Sequence, residues 1–131
     1  MDPVIHFQLP ADDMKRMRDF YSKSFGWKTT EMGPEMGGYV TVMTVTSDKD
    51  GRPTKPGTIN GGFYKRPSGI EGTMNPSIVI AVDDIKASMK KVLEAGGTTN
   101  MKEPETIPHV GLFMTFRDTE GNFAAMLQPE M

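Results

Sequence analysis

Only two histidines and no cysteine occur in this chain, so its options for metal or nucleophilic chemistry are few. His6 stands in Ile5-His6-Phe7-Gln8-Leu9, where apolar and polar residues alternate. In a strand this places Ile5, Phe7 and Leu9 on one face and His6 with Gln8 on the other. An imidazole there can serve as a general base or a metal ligand, or sit as a satisfied histidine in a sheet. Gln8 can hydrogen-bond a ligand or be a structural amide. His109 follows Pro108 in a loop that also holds Glu103 and Glu105. These three read as exposed loop residues, with a second imidazole and a carboxylate in reserve for a non-standard metal site. Asp12-Asp13 and Asp83-Asp84 resemble paired catalytic acids but are better read as helix caps. No glycine run has the spacing of a phosphate loop, and no nucleophile–base pair is legible.

The elements that must position these residues come in two copies. Ser77 follows His6, Asp84 follows Asp13 and Gly97 follows Gly26 by the same 71 residues (77 − 6, 84 − 13, 97 − 26). Repetition at a fixed offset implies one domain built from two halves. The first half reads as a strand over 4–9 stopped by Pro10, a helix ending at Gly26, and strands at 27–30, 39–46 and 58–65. Met14, Met17, Phe20, Tyr21 and Phe25 form the helix's apolar stripe. Residues 47–57 read as a polar loop. Gly61-Gly62 in the last strand points to a bulge or a close approach of backbone or ligand. Unit one therefore covers about 1–66, a linker 67–76, and unit two about 77–131. The second unit reads as a strand over 78–82, a helix with Ile85, Met89, Val92 and Leu93 inward, a short strand at 98–101, a loop at 102–110 and strands at 111–117 and 123–128. Asp118 to Asn122 is the turn between the last two. Trp27, Tyr39 and Phe63 are either pocket lining or core, as are many of the twelve methionines.

Composition excludes several classes. A chain of 131 residues with 24% charged and 37% hydrophobic residues is one globular domain. A net charge of −2 with scattered Lys and Arg gives no nucleic-acid footprint. No apolar run approaches a membrane span. Nothing resembles a signal peptide, so a cytoplasmic location is expected.

Two strand–helix–three-strand units, carried by His6 to Tyr21, Val82-Asp83-Asp84 with its helix to Gly96-Gly97, and Arg117 to Asn122, resemble the vicinal oxygen chelate superfamily. That family includes glyoxalase I, extradiol dioxygenases and the bleomycin resistance proteins; this chain is similar to its small glyoxalase-like members. The resemblance implies an α+β fold of two βαβββ units forming a curved, cup-like mixed sheet with helices outside and the ligand inside. Metal enzymes of the family carry four ligands on the first and last strands of the units. By that resemblance His6 matches one position, Ser77 and Ala125 match two others, and 59–64 supplies no carboxylate for the fourth. Catalytic metal sites need about three protein ligands, so no metal is expected. The expectation is a metal-free small-molecule-binding protein contacting its ligand at His6, Gln8, Ser77 and Ala125. The alternative is a lyase, isomerase or dioxygenase-like enzyme with His6 as general base or part of a non-standard metal site. A homodimer is expected because twofold pairing is the commonest assembly.

Overall fold

The computed structural model describes residues 1–66 and 75–130. The chain forms two compact units, His6–Pro76 and Ser77–Met131, the latter joined by Met1–Ile5. In chain order the elements are β1 (Val4–Ala11), α1 (Met14–Phe25), β2 (Lys28–Glu31), β3 (Val40–Met43) and β4 (Asn60–Lys65), then β5 (Ser77–Ala81), α2 (Ile85–Glu94), β6 (Glu105–Ile107), β7 (Gly111–Arg117) and β8 (Phe123–Pro129). A short 3₁₀ turn at Pro34–Met36 lies between β2 and β3. The first unit orders its strands β2-β3-β4-β1, and the second β5-β8-β7-β6. In each, the first and last strands run parallel, while the remaining pairs are antiparallel. The fold class is the expected one: α+β, with two βαβββ units and mixed sheet pairing. The expected linker 67–76 falls, over 67–74, outside the described residues. No helix among the described residues is long and apolar enough to cross a membrane.

The repeated aspartates do the same physical work twice. Asp13 accepts from the Arg16 backbone N–H at 3.0 Å and Asp84 from that of Ala87 at 3.1 Å. Each satisfies a donor that the helix start leaves unpaired. Gly26, in the left-handed region at φ 72°, closes α1 and donates to the Ser22 carbonyl. Met14, Met17 and Tyr21 pack with Phe7, Leu9 and Trp27 against buried Val40, Val42 and Phe63. In the second unit, buried Val82, Ile85, Met89, Met114 and Met126 form the core. The stripe read for α1 is too wide: Phe20 and Phe25 are 56% and 65% exposed. Phe20 lies about a quarter turn off the Met14–Met17–Tyr21 seam, and Phe25 is the last helical residue. Leu93 on α2 is likewise exposed.

Several strand assignments differ from the sequence reading, among them β3, which covers only 40–43 of the 39–46 expected, and β4, which begins at Asn60 rather than at 58. β1 runs through Pro10, which pairs with Tyr64, to Ala11. The Arg66 N–H donates to the Ala11 carbonyl at 2.9 Å, so odd-numbered residues address β4 and the missing Pro10 donor points the other way. Residues 98–101 form no strand; Thr98 only bridges Arg117. The outer strand β6 instead lies within the stretch read as a loop, between Pro104 and Pro108, short and proline-flanked as edge strands tend to be. The polar loop at 47–57 also holds more order than its composition suggests. Asp48 Oδ1 accepts from the backbone N–H groups of Asp50 and Arg52, while Gly51 donates to the Asp48 carbonyl. Asp118 makes the same bonds to Glu120, Asn122 and Gly121. The two five-residue turns are copies of one device.

Candidate functional site

Strand phase builds the site. Phe7 and Leu9 of β1 turn to α1, so His6 and Gln8 occupy the face away from it. Ile5, grouped with Phe7 and Leu9 by alternation, is exposed and joins neither core. On β3, Val40 and Val42 turn to α1; Tyr39, just before the strand, shares the opposite face with Thr41. On β4, Phe63 is core and Gly62 lies on the His6 face. The two adjacent glycines make room on opposite sides of the strand. A Cβ on Gly61 would stand 2.6 Å from the Phe7 ring, and one on Gly62 would collide with the Tyr39 phenol. The close approach expected at Gly61-Gly62 is therefore made by two aromatic side chains.

With Gly62 beneath it, Tyr39 reaches β1. Its hydroxyl lies 2.8 Å from His6 Nε2, and the Gln8 amide nitrogen donates to the same oxygen at 3.5 Å. Burial pulls the His6 pKa down to about 4, so its imidazole is neutral at physiological pH. Burial also raises the pKa of Tyr39, partly offset by the Gln8 hydrogen bond, which keeps the phenol protonated. The arrangement that satisfies all three groups runs from Gln8 N–H to Tyr39 oxygen, and from Tyr39 O–H to the Nε2 lone pair. The lone pair a metal ion or a substrate proton would need is thereby occupied. Nδ1 of His6 and the Gln8 carbonyl remain to meet a ligand.

The second unit offers a different surface. Ser77 and Ala125 lie on the face away from α2 and are buried, at 9% and 1% exposure. Ala125 pairs with Val79 as Gly62 pairs with Gln8. Val79 follows Gln8 by the repeat offset (79 − 8), so Gly62 is the first-unit counterpart of Ala125. The four positions that metal-binding relatives would use thus hold His6, Gly62, Ser77 and Ala125: one imidazole, one hydroxyl and two residues without a ligating atom. The imidazole is already engaged. Such a set does not fit a divalent metal ion. Among the described residues, no group of three or more His, Asp or Glu side chains is placed to hold one.

The remaining candidates lie apart. His109 is exposed in the turn between β6 and β7, at φ 65°. Glu103 pairs with Lys86 at 3.4 Å on the surface, and Glu105 is exposed on β6. Phe63 is core, and Trp27 stacks on Tyr21 with ring centroids 4.6 Å apart on the α1 side. A surface groove of about 330 Å³ beside the start of α1, lined by Pro10, Asp12, Arg16 and Phe20 among others, includes none of the site candidates. Of the three aromatic residues that sequence reasoning left undecided, Tyr39 is the one on the His6 face. Its signal was the alternation with Val40 and Val42, which places it opposite the core and over Gly62.

Comparison with known proteins agrees with the fold. The family model described as Glyoxalase/Bleomycin resistance protein/Dioxygenase superfamily matches residues 4–126. A glyoxylase-like domain-containing protein of Didymella fabae is 34% identical over 121 residues, covering 91% of this chain and 88% of its own length. A hypothetical protein from Bacillus halodurans C-125 has a solved structure with a TM-score of 0.70 at 14% identity, covering 99% of this chain and 96% of that one. Methylmalonyl-CoA epimerase from Mycobacterium tuberculosis gives 0.69 at 12% identity, covering 98% and 88%. A single-substitution variant of the Streptomyces coelicolor methylmalonyl-CoA epimerase, solved with 2-nitronate-propionyl-CoA, gives 0.68 at 13%, covering 98% and 97%. At these identities the solved structures share the fold.

Proposed function

The chain belongs to the Glyoxalase/Bleomycin resistance protein/Dioxygenase superfamily, and from that premise we propose that it binds a small molecule without a metal ion, on the face of the first unit that carries His6, Gln8 and Tyr39. One observation carries the proposal: the Tyr39 hydroxyl lies 2.8 Å from His6 Nε2, and with the ring protonated at Nδ1 it takes the lone pair that metal ligation or proton abstraction would use. A neutral imidazole N–H and an amide carbonyl then offer one donor and one acceptor, suited to a hydroxyl or carbonyl group of a neutral ligand end. Ser77 and Ala125 keep their place in the proposal as ligand contacts on the second unit's own face away from α2. The reading with His6 as general base asks a group of pKa about 4 to remove a proton near neutrality, and Brønsted behaviour makes such a base weak. Twofold pairing of the chain is part of the same proposal, and a monomeric mass by light scattering at micromolar concentration would remove it.

The test joins a metal titration to a metabolite screen, both followed by melting temperature. Zn²⁺ and Ni²⁺ are expected to leave the melting temperature unchanged. Metabolites that raise it are expected to lose their effect in Tyr39→Phe and Gln8→Ala. Stabilisation by micromolar metal that disappears in His6→Ala would overturn the metal-free reading.

A further inference from the structure

The face carrying His6 continues along the β1/β4 ladder to a second polar group. Row by row it presents His6 beside Asn60, Gln8 beside Gly62, and Pro10 beside Tyr64. One step on, Arg66 Nη1 meets the Asp12 carboxylate at 3.0 and 3.2 Å. Two buried polar atoms here have no hydrogen-bond partner among the described residues: the Tyr64 hydroxyl and Arg66 Nε. Neither belongs to the His6–Tyr39–Gln8 cluster. A buried donor left unpaired forfeits its hydration with nothing in return, and such exceptions call for an explanation. Burial raises the Tyr64 pKa against the opposing pull of the nearby Arg66 charge, so its hydroxyl remains a donor. Two unpaired donors two residues apart in sequence, one of them on a permanent cation near the Tyr64 hydroxyl whose Nη1 already holds one carboxylate, suit the oxygens of another.

We propose that the Tyr64 hydroxyl and Arg66 Nε receive the carboxylate of an organic acid whose neutral polar end lies at His6 and Gln8, the two groups that Tyr39 positions. The proposal rests on the ligand site above and specifies its ligand class. Tyr64 is two residues beyond Gly62 on β4, so the carboxylate stands roughly 7 Å along the strand from the Gln8 row. The ligand is therefore a short, extended acid with a hydroxyl or carbonyl at its far end. Asp12 is an internal competitor for the same guanidinium, exposed enough to be displaced.

The experiment titrates the full chain with straight-chain ω-hydroxy acids, from glycolate to 6-hydroxyhexanoate, and with their primary amides, by calorimetry. The longer acids are expected to bind, and their amides to bind about tenfold more weakly, the worth of a hydrogen bond to a charged group. Tyr64→Phe and Arg66→Gln should each erase the preference for acid over amide. Tyr39→Phe should weaken acid and amide alike. Absence of binding by every acid, equal binding of acid and amide, or a preference that survives both substitutions would overturn the carboxylate subsite. A preference that needs Tyr64 and Arg66 but ignores Tyr39→Phe would keep the subsite and remove the site at His6, Gln8 and Tyr39. Tyr64→Phe is also expected to keep or raise the melting temperature, because the lost hydroxyl has no partner among the described residues; a clear fall would count against the subsite.

Discussion

The two units match closely on the faces that meet their helices and differ on the faces that turn away. Toward α1 and α2 both present large apolar residues, such as Phe63 in one and Met126 in the other. Away from the helices, the first unit holds His6, Gln8, Gly62 and the Tyr39 ring, whereas the second holds Ser77, Val79 and Ala125. The helix side is constrained in both copies because burying it stabilises the unit. The opposite side is under no such common demand. One copy has used that freedom for a polar cluster, and the other for small side chains. The exchange hinges on a single position: glycine at 62 admits an aromatic ring, while alanine at 125 fills its own space.

The largest effect should come from the shared side. Phe63 is fully buried between α1 and the sheet. Phe63→Ala is expected to cost about 3–5 kcal/mol in denaturant unfolding, well above any substitution on the opposite face. If His6→Ala proved equally costly, the strands would be assigned inside out. A moderate cost is expected for His6→Ala, since it strands the Tyr39 hydroxyl: about 1–3 kcal/mol. A nearly neutral substitution, as expected of an imidazole whose only partner is ligand or water, does not suit a side chain with this protein partner.

Acid separates the units next. The folded-state pKa of His6 is about 4, below the ordinary 6.5, because burial penalises its charged form. The unfolded chain therefore takes up a proton first as pH falls. The stability tied to the neutral imidazole is fully present above about pH 6.5 and is lost between there and about pH 4, amounting to about 3 kcal/mol. Stability measured against pH should lose this component in His6→Gln. Ser77, at the matching position of the second unit, has nothing to titrate. A slope across that window unchanged in His6→Gln would place the proton elsewhere.

A reciprocal exchange sharpens the comparison at a smaller scale. Gly62→Ala should cost about 1–3 kcal/mol, because its methyl displaces the Tyr39 phenol. Ala125→Gly should cost less, about 0.5–1 kcal/mol, mainly through chain entropy. Adding Tyr39→Ala to Gly62→Ala should recover part of the first cost. Equal effects at 62 and 125, or no recovery, would deny the first unit its special packing.

The smallest effect concerns the outer turns. Between β2 and β3 the first unit places Gly37 and Gly38 at positive φ; between β6 and β7 the second places His109 there. Pro108-His109 has the form of a type II turn, whose third residue favours glycine. His109→Gly is expected to raise stability by about 0.5 kcal/mol and leave ligand binding untouched. A loss of binding would bring His109 into the site.

The sequence by itself determined the repeat, both helix starts at Asp13 and Asp84, the phase of β1 and the class of the fold. Each is a local matter: a cap serves donors two or three residues away, and strand alternation has a period of two. The constant offset added the residue-by-residue correspondence of the two halves without any long-range information. The matching turns at Asp48 and Asp118 were also written there, in Asp-x-acid-Gly; the second was read as a turn, but the longer polar stretch after Asp48 obscured the first and so the match. Only the tertiary structure decided that β1 continues through Pro10, because that depends on which side of the strand bonds β4. It alone placed β6 at 105–107, where pairing with β7 overrides the prolines on either side. It alone joined His6 to Tyr39, 33 residues away, since their contact depends on the register of three strands and on the missing side chain of Gly62. It alone left the Tyr64 hydroxyl and Arg66 Nε without partners among the described residues, because the hydrogen bonds a buried side chain finds are set by the neighbours that packing brings to it.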